Sequence, residues 1–122
     1  MTTKKPTVVI ADDSALIRFQ LSDILSELGF EILGEASNGN EAVLLYKNLK
    51  PDFVTLDIVM PEKDGPQALD EIKTIDPNAK VIMITALGKQ EVVKDCIKRG
   101  ASDFIVKPFN PMVIKDIFNK YL

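Results

Sequence analysis

The sequence predicts a single α/β domain in which helices cover both faces of a mostly parallel β-sheet. Short apolar runs rich in β-branched residues alternate five times with longer segments of helical periodicity. Several of the short runs are apolar almost throughout, as in strands that are buried on both faces of a parallel sheet. Strict alternation of this kind is typical of right-handed strand–helix–strand units within one sheet.

The predicted strands are five or six residues long, and this length together with their β-branched content favours strands over helices. The first, third and fourth are nearly all apolar, which predicts that they occupy the centre of the sheet. The five strands are TVVIA (7–11), EILGEA (31–36), DFVTLD (52–57), KVIMIT (80–85) and DFIVK (103–107).

The predicted helices carry apolar residues at spacings of three and four, together with start and stop signals. Gly29 ends the first helix, Pro66 lies near the start of the third, and Asn110 is a suitable cap for the fifth. In the first helix the apolar stripe comprises Leu16, Ile17, Leu21, Ile24, Leu25 and Leu28. The other four helices are expected within 38–51, 64–77, 89–100 and 110–122.

Length and composition limit the classes of function. No linker, repeat or low-complexity tract is visible in the 122 residues, so we expect one domain over 1–122 with no output domain. A net charge of −3 without a long basic run argues against nucleic-acid binding. No apolar run is long enough to span a membrane, and no signal peptide is visible, so a cytoplasmic location is expected.

Residue usage excludes further kinds of site. The chain has no histidine, which excludes a histidine base, a histidine metal ligand and a phosphohistidine kinase. Its single cysteine, Cys96, excludes an internal disulfide. Because Cys96 falls within a helical pattern, we expect it to be buried as a small apolar residue.

Chemically distinctive side chains stand at the ends of four predicted strands. Asp12 and Asp13 follow the first, Asp57 ends the third, Thr85 ends the fourth and Lys107 ends the fifth. The carboxyl ends of parallel strands point to one edge of the sheet, where ligands bind. Each residue alone has a structural explanation as a helix cap, a turn residue or a surface lysine. Such explanations would have to hold four separate times at one edge, so we favour a shared site.

The chemistry of this set points to a metal ion and a phosphoryl group. At about 4 Å, each pair of carboxylates repels by about 1 kcal/mol in water and by about 4 kcal/mol at an intermediate dielectric constant. Oxygen ligands without histidine or cysteine favour a hard cation such as Mg²⁺. Once the charge is neutralised, a carboxylate can attack phosphorus to form an aspartyl phosphate. Lys107 and the Thr85 hydroxyl would then bind the phosphoryl oxygens.

Four segments, IADDSALIR, TLDIVMPEKDG, MITALG and FIVKPF, together resemble the receiver domain of bacterial two-component response regulators, especially the stand-alone chemotaxis type. The resemblance runs from about residue 7 to residue 121 and includes all five signature positions. It implies a flavodoxin-like (βα)₅ fold with strand order 2-1-3-4-5. It also implies that Asp57 is the phosphoacceptor and that a partner histidine kinase is the donor.

The resemblance assigns roles around Asp57. Asp13, Asp57 and the backbone carbonyl of Val59 would bind Mg²⁺, or Mn²⁺ in its place, while Asp12 would act mainly through water. Lys107 would pair with Asp57 and then with the phosphoryl group, aimed inward by a cis Lys107–Pro108 peptide bond.

The resemblance also implies a switch. Thr85 would move toward the phosphoryl group and vacate space for Phe104, while the small Ala86 would leave the phosphoryl path open. The signal would be read at the surface of the fourth helix, fifth strand and fifth helix, about residues 87–122. Plain core packing remains an alternative role for Phe104.

Three positions depart from the usual chemotaxis-type pattern. Phe104 stands where tyrosine is usual, so no hydroxyl is available there for a partner. Val59 and Leu87, two residues beyond Asp57 and Thr85, are apolar where the family shapes water access to the acyl phosphate. We therefore hypothesise that self-dephosphorylation is slow and that a separate phosphatase assists it. The protein would be a phosphoacceptor with weak self-catalysed reactions, not an enzyme.

Other classes fit less well. A phosphatase of the haloacid-dehalogenase type needs a second aspartate where this chain has Val59. A flavodoxin-like electron carrier needs a Ser/Thr/Gly-rich phosphate loop, whereas ADDSA places two negative charges there. Within the receiver interpretation, three roles stay open: direct binding of a target such as the flagellar motor switch, phosphorelay to a histidine domain, or the excised receiver of a longer regulator. The start at Met1 argues mildly against the last.

Overall fold

The structure is a computed structural model that describes residues 4–122, so Met1 lies outside the described residues. Five strands alternate with five helices, which confirms every element that the sequence predicts. The elements are β1 (Thr7–Ala11), α1 (Ala15–Glu27), β2 (Glu31–Ala36), α2 (Gly39–Leu49), β3 (Phe53–Asp57), α3 (Gly65–Ile75), β4 (Lys80–Ala86), α4 (Gln90–Lys98), β5 (Asp103–Lys107) and α5 (Pro111–Asn119).

The strands form one parallel sheet in the order β2-β1-β3-β4-β5. This confirms the predicted fold class and the strand order that the resemblance implies. The apolar strands β1, β3 and β4 occupy the centre, and every residue of β3 is buried. The strand order places the ends of β1, β3 and β4 side by side at the carboxyl edge.

The sheet is covered on both faces, and each face has its own core. One core joins the sheet to α1 and α5 through residues that include Leu21, Leu25 and Ile114. The other joins it to α2, α3 and α4 and contains Cys96, which is buried as expected. Alternate residues of each strand contribute to opposite cores, as side-chain alternation in a strand requires. The strand ends that carry the site are therefore held by packing on both faces of the sheet.

Element boundaries differ from the expected ones by a few residues. β3 begins at Phe53, and the carboxylate of the preceding Asp52 accepts hydrogen bonds from the Thr7 backbone N–H at 2.9 Å and hydroxyl at 3.1 Å. α5 ends at Asn119, and the Tyr121 hydroxyl beyond it donates to the Ser102 carbonyl at 2.7 Å. In α1, Leu16 is 64% exposed, so its assignment to the buried stripe is wrong. It lies in the first turn, beside the carboxyl edge of the sheet.

Side-chain caps fix the helix starts near this edge. Ser14 accepts from the Ile17 N–H at 3.3 Å, and Asn110 accepts from the Val113 N–H at 3.0 Å, as predicted for α5. Among residues 4–122, no helix is both long and apolar enough to cross a membrane.

Candidate functional site

The carboxyl edge of the sheet brings together the polar side chains that the sequence places at the strand ends. Asp12, Asp57 and Thr85 are buried polar residues, at 0%, 7% and 2% exposure, while Asp13 is exposed. One carboxylate oxygen from each of Asp12, Asp13 and Asp57 lies within 4.8 Å of the others. The predicted convergence of these carboxylates is therefore present.

The turn after β1 holds Asp12 through its backbone and its side chain. Its N–H donates to the Ala36 carbonyl at 3.0 Å, and its Oδ1 accepts from the Ser14 N–H at 2.9 Å. Arg18 donates from Nη1 to the Asp12 carbonyl at 2.7 Å and from Nε to Glu35 at 3.1 Å. Sequence reasoning missed Arg18, because its partner is a backbone carbonyl that leaves no mark in the pattern.

Lys107 reaches into the carboxylate cluster from the end of β5. Its Nζ lies 3.0 Å from Asp12 Oδ2 and 3.4 Å from Asp57 Oδ2. The Lys107–Pro108 peptide bond is cis. Burial lowers the pKa of Lys107, but the contact with Asp12 and the charge of Asp57 outweigh it and raise the pKa above its ordinary value. The ammonium therefore stays charged and offsets part of the cluster's negative charge.

The negative charge of Asp57 is disfavoured in the folded protein. Burial, followed by repulsion from Asp12, raises its pKa from 3.8 to about 6, although Lys107 opposes the shift. Asp57 is the last residue of β3, so its carboxylate lies at the carboxyl edge of the sheet and follows a buried, mostly apolar strand. A cation or a positively charged donor group at this position would relieve the unfavourable charge.

The β3–α3 loop (residues 58–64) passes directly over the end of β3. The Ile58 N–H donates to the Ile84 carbonyl at 3.0 Å, and the Gly65 N–H donates to the Ile58 carbonyl at 3.0 Å. A Cβ at Gly65 would overlap the Asp57 carbonyl oxygen, so only glycine permits this approach. Gly65 is a second residue that sequence reasoning missed, although its place after Asp64 in TLDIVMPEKDG was visible. Val59 is 64% exposed on this loop.

The predicted switch residues, Thr85, Ala86 and Phe104, line a groove beside α4. The Thr85 hydroxyl donates to the carbonyl of its neighbour Ala86 at 3.1 Å. Phe104 is 38% exposed and Leu87 is 81% exposed, so core packing does not explain Phe104. An apolar groove of about 500 Å³ lies here, lined by residues that include Thr85, Leu87, Val93, Ile97, Phe104 and Val106. The groove runs from the site onto the predicted signalling face.

The residues at this edge fit a hard divalent cation. The donors are carboxylate oxygens, without histidine or cysteine, which is the ligand set that Mg²⁺ prefers. Oδ2 of the buried Asp12 forms an ion pair with the Lys107 ammonium at 3.0 Å, although the angles of this contact are poor for a hydrogen bond. Such an atom is costly to bury without a further positive or hydrogen-bonding group.

Residues 8–119 match the family model of the response regulator receiver domain. The chain is 54% identical over 113 residues to the chemotaxis protein CheY of Thermotoga maritima, covering 93% of this chain and 94% of that protein. It is 50% identical over 115 residues to CheY of Bacillus subtilis, covering 94% and 96%. A solved complex of CheX, CheY, BeF₃ and magnesium from Borrelia burgdorferi contains a similar chain, with a TM-score of 0.91, 45% identity and coverage of 94% and 87%.

Proposed function

This chain belongs to the response regulator receiver domain family, and we propose that it is a phosphorylation-dependent signalling switch of the chemotaxis type. The observation that carries the proposal is the convergence of Asp12, Asp13, Asp57 and Lys107 at one sheet edge. The chain spans nearly the whole length of both CheY relatives.

Asp57 is the proposed phosphoacceptor. A carboxylate oxygen of Asp57 forms a bond to phosphorus while the bond from phosphorus to a nitrogen of the donor kinase's histidine breaks. Asp13, Asp57 and the Val59 carbonyl would hold the metal ion, with Asp12 acting through water. When bound, Mg²⁺ supplies positive charge that offsets both the carboxylates and the phosphoryl oxygens. The Borrelia relative, which occurs with BeF₃ and magnesium, supports this use of the site.

Lys107 and Thr85 complete the proposed phosphoryl site. The Lys107 ammonium, already 3.4 Å from Asp57, binds one phosphoryl oxygen. The Thr85 hydroxyl exchanges its hydrogen bond to the Ala86 carbonyl for one to another phosphoryl oxygen, and the small Ala86 side chain leaves the path open. This movement opens space into which Phe104 turns, and the groove beside α4 changes shape.

The output of the proposed switch is protein binding at the α4-β5-α5 face. The expected partners are a histidine kinase, a target such as the motor switch, and a phosphatase, all in the cytoplasm. The relative in complex with CheX supports a protein partner of this kind. Relay of the phosphoryl group to a histidine domain is the alternative, and a transfer assay from labelled Asp57 to such a domain distinguishes the two roles.

Substitution of Asp57 tests the phosphoacceptor assignment. The Asp57→Asn variant should lose labelling by acetyl phosphate in the presence of Mg²⁺, because the amide is a poor nucleophile. Asp52→Asn is a matched control at the opposite edge, where Asp52 binds Thr7, and it should label like the native protein. Labelling of Asp57→Asn at the native rate would contradict the assignment.

A further inference from the structure

The β3–α3 loop is anchored firmly at its start. The Ile58 N–H donates to the Ile84 carbonyl of β4 at 3.0 Å, and the Gly65 N–H donates back to the Ile58 carbonyl at 3.0 Å. These two bonds fix the residue next to Asp57. They leave the remainder of the loop, including Val59, to be held by other contacts.

The second half of the loop is held by the N-terminus of α2. The Gly39 N–H donates to the Lys63 carbonyl at 2.8 Å, and Asn38 Nδ2 donates to Glu62 Oε2 at 3.0 Å. A Cβ at Gly39 would overlap the Lys63 carbonyl oxygen, so glycine is required for this approach. Asn38 also caps α2, since its Oδ1 accepts from the Glu41 N–H at 2.9 Å.

The backbone of Glu62 shows that the loop conformation depends on these contacts. Glu62 has φ +66°, a left-handed conformation that is costly for a residue other than glycine. Such a conformation persists where surrounding contacts hold it. α2 is itself a fixed support, because the Tyr46 hydroxyl donates to Asp76 Oδ2 at 3.0 Å, just beyond the end of α3.

We propose that Asn38 and Gly39 are positioning residues for the metal and phosphoryl site. The N-terminus of α2 binds Glu62 and Lys63 and thereby holds the β3–α3 loop, in which the Val59 carbonyl is a proposed metal ligand. This inference rests on the proposed function, because it concerns the same site. The residues at the strand ends do not hold the β3–α3 loop in place, and the proposal assigns this role to the start of α2.

Two substitutions remove the Asn38–Glu62 hydrogen bond, one at the donor and one at the acceptor. Asn38→Ser keeps the cap on α2, because serine is an equally suitable N-cap, but removes the Nδ2 donor. Glu62→Ala removes the acceptor. Glu62→Gln keeps an acceptor oxygen and removes only the charge, so it separates the hydrogen bond from electrostatics. Asn110→Ser makes the same change at the cap of α5, away from the loop, and serves as the matched control.

The experiment measures Mg²⁺ affinity by amide NMR titration, together with amide hydrogen exchange at Val59, Met60, Glu62 and Lys63 in metal-free protein. Asn38→Ser and Glu62→Ala should each weaken Mg²⁺ binding about tenfold, as loss of a ligand's orienting partner does. The double variant should lose little more than Asn38→Ser, because both changes remove the Asn38–Glu62 hydrogen bond, while Asn38→Ser also removes the 3.3 Å bond from Nδ2 to Glu41. Exchange in the loop should accelerate in these variants. Glu62→Gln and Asn110→Ser should behave like the native protein.

Several results would overturn the proposal. Native Mg²⁺ affinity and native loop exchange in both Asn38→Ser and Glu62→Ala would do so. So would a double variant whose loss is the product of the two single losses, or an equal loss in Glu62→Gln. Failure of the proposed function would look different, since the native protein itself would then bind no Mg²⁺ or would not label at Asp57.

Discussion

The ionisation of Asp57 couples the site to the stability of the whole fold. Burial and repulsion from Asp12 raise its pKa from 3.8 to about 6 in the folded, metal-free protein. The folded state therefore binds more protons than the unfolded chain between about pH 4 and pH 6, where the unfolded carboxyl is already ionised. The contribution of this group to the free energy of unfolding falls as the pH rises through that window.

Asp57→Asn should make this coupling visible. In EDTA, the variant should be more stable than the native protein at pH 7, by about 1–2 kcal/mol, because it removes a buried charge and its repulsion by Asp12. The difference should shrink as the pH falls from about 6 to 4, because the native carboxyl becomes neutral. Urea unfolding at several pH values measures it. A difference that does not change with pH would contradict the raised pKa.

We expect Val59 to govern a second property at the residue scale, the lifetime of the phosphorylated state. Its side chain is 64% exposed beside Asp57 and carries no group that can orient an attacking water. Val59→Asn should therefore speed the loss of phosphate, by about tenfold if the amide aligns the water. Labelling with acetyl phosphate, removal of the donor and timing of the decay measures this. Faster decay in the native protein would contradict the hypothesis of slow self-dephosphorylation.

At the scale of elements, the approach of α3 to the end of β3 depends on Gly65. A Cβ there would overlap the Asp57 carbonyl oxygen, and neither backbone segment can yield without moving Asp57, the proposed phosphoacceptor. Gly65→Ala should lower the free energy of unfolding by about 1–3 kcal/mol. It should also slow labelling by about tenfold or more, since small misplacements of a nucleophile are costly.

Gly34→Ala provides the matched control for this prediction. A Cβ at Gly34 in β2 would meet Leu45 Cδ1 at 3.4 Å, the end of a flexible side chain. Its stability should change by no more than about 0.5 kcal/mol, and its labelling rate should be native. Equal effects at both glycines would show that the close approach of α3 has no special role.

At the scale of the whole molecule, the site and the signalling face are joined through β4 and α4. α4 follows Gly88, at φ +91°, and no side chain caps its start at Lys89. An apolar groove lies between α4 and β5, and Thr85 and Phe104 both line it. Phosphorylation adds almost two negative charges at this edge, which biases the conformations available to the groove.

Thr85→Ala should separate phosphorylation from signalling. BeF₃ with Mg²⁺ should shift the amide resonances of α4 and Phe104 in the native protein, because the Thr85 hydroxyl moves toward the added group. In Thr85→Ala the changes around Asp57 should remain, while those at α4 and Phe104 should fall to less than about half. NMR titration measures both sets in one experiment. Undiminished changes at α4 would contradict the role of Thr85.

The sequence by itself determined the architecture and the chemical identity of the site. Alternating strand and helix patterns allow one kind of sheet, and parallel strands bring their carboxyl ends to a common edge. The positions of Asp12, Asp13, Asp57 and Lys107 at those ends follow from strand direction alone. The strand order 2-1-3-4-5 came from the family resemblance, because the pattern does not specify which strands are neighbours.

Only the tertiary structure decided how these side chains are supported and aimed. Arg18 on the Asp12 carbonyl, Gly65 against Asp57 and Asn38 on Glu62 are contacts between distant backbone and side-chain atoms. The exposure of Leu16 and Phe104 likewise depends on which neighbours the sheet edge supplies. Hydrophobic periodicity predicts which face of a single helix or strand is buried. These contacts depend on how several elements pack together, so a local sequence pattern cannot predict them.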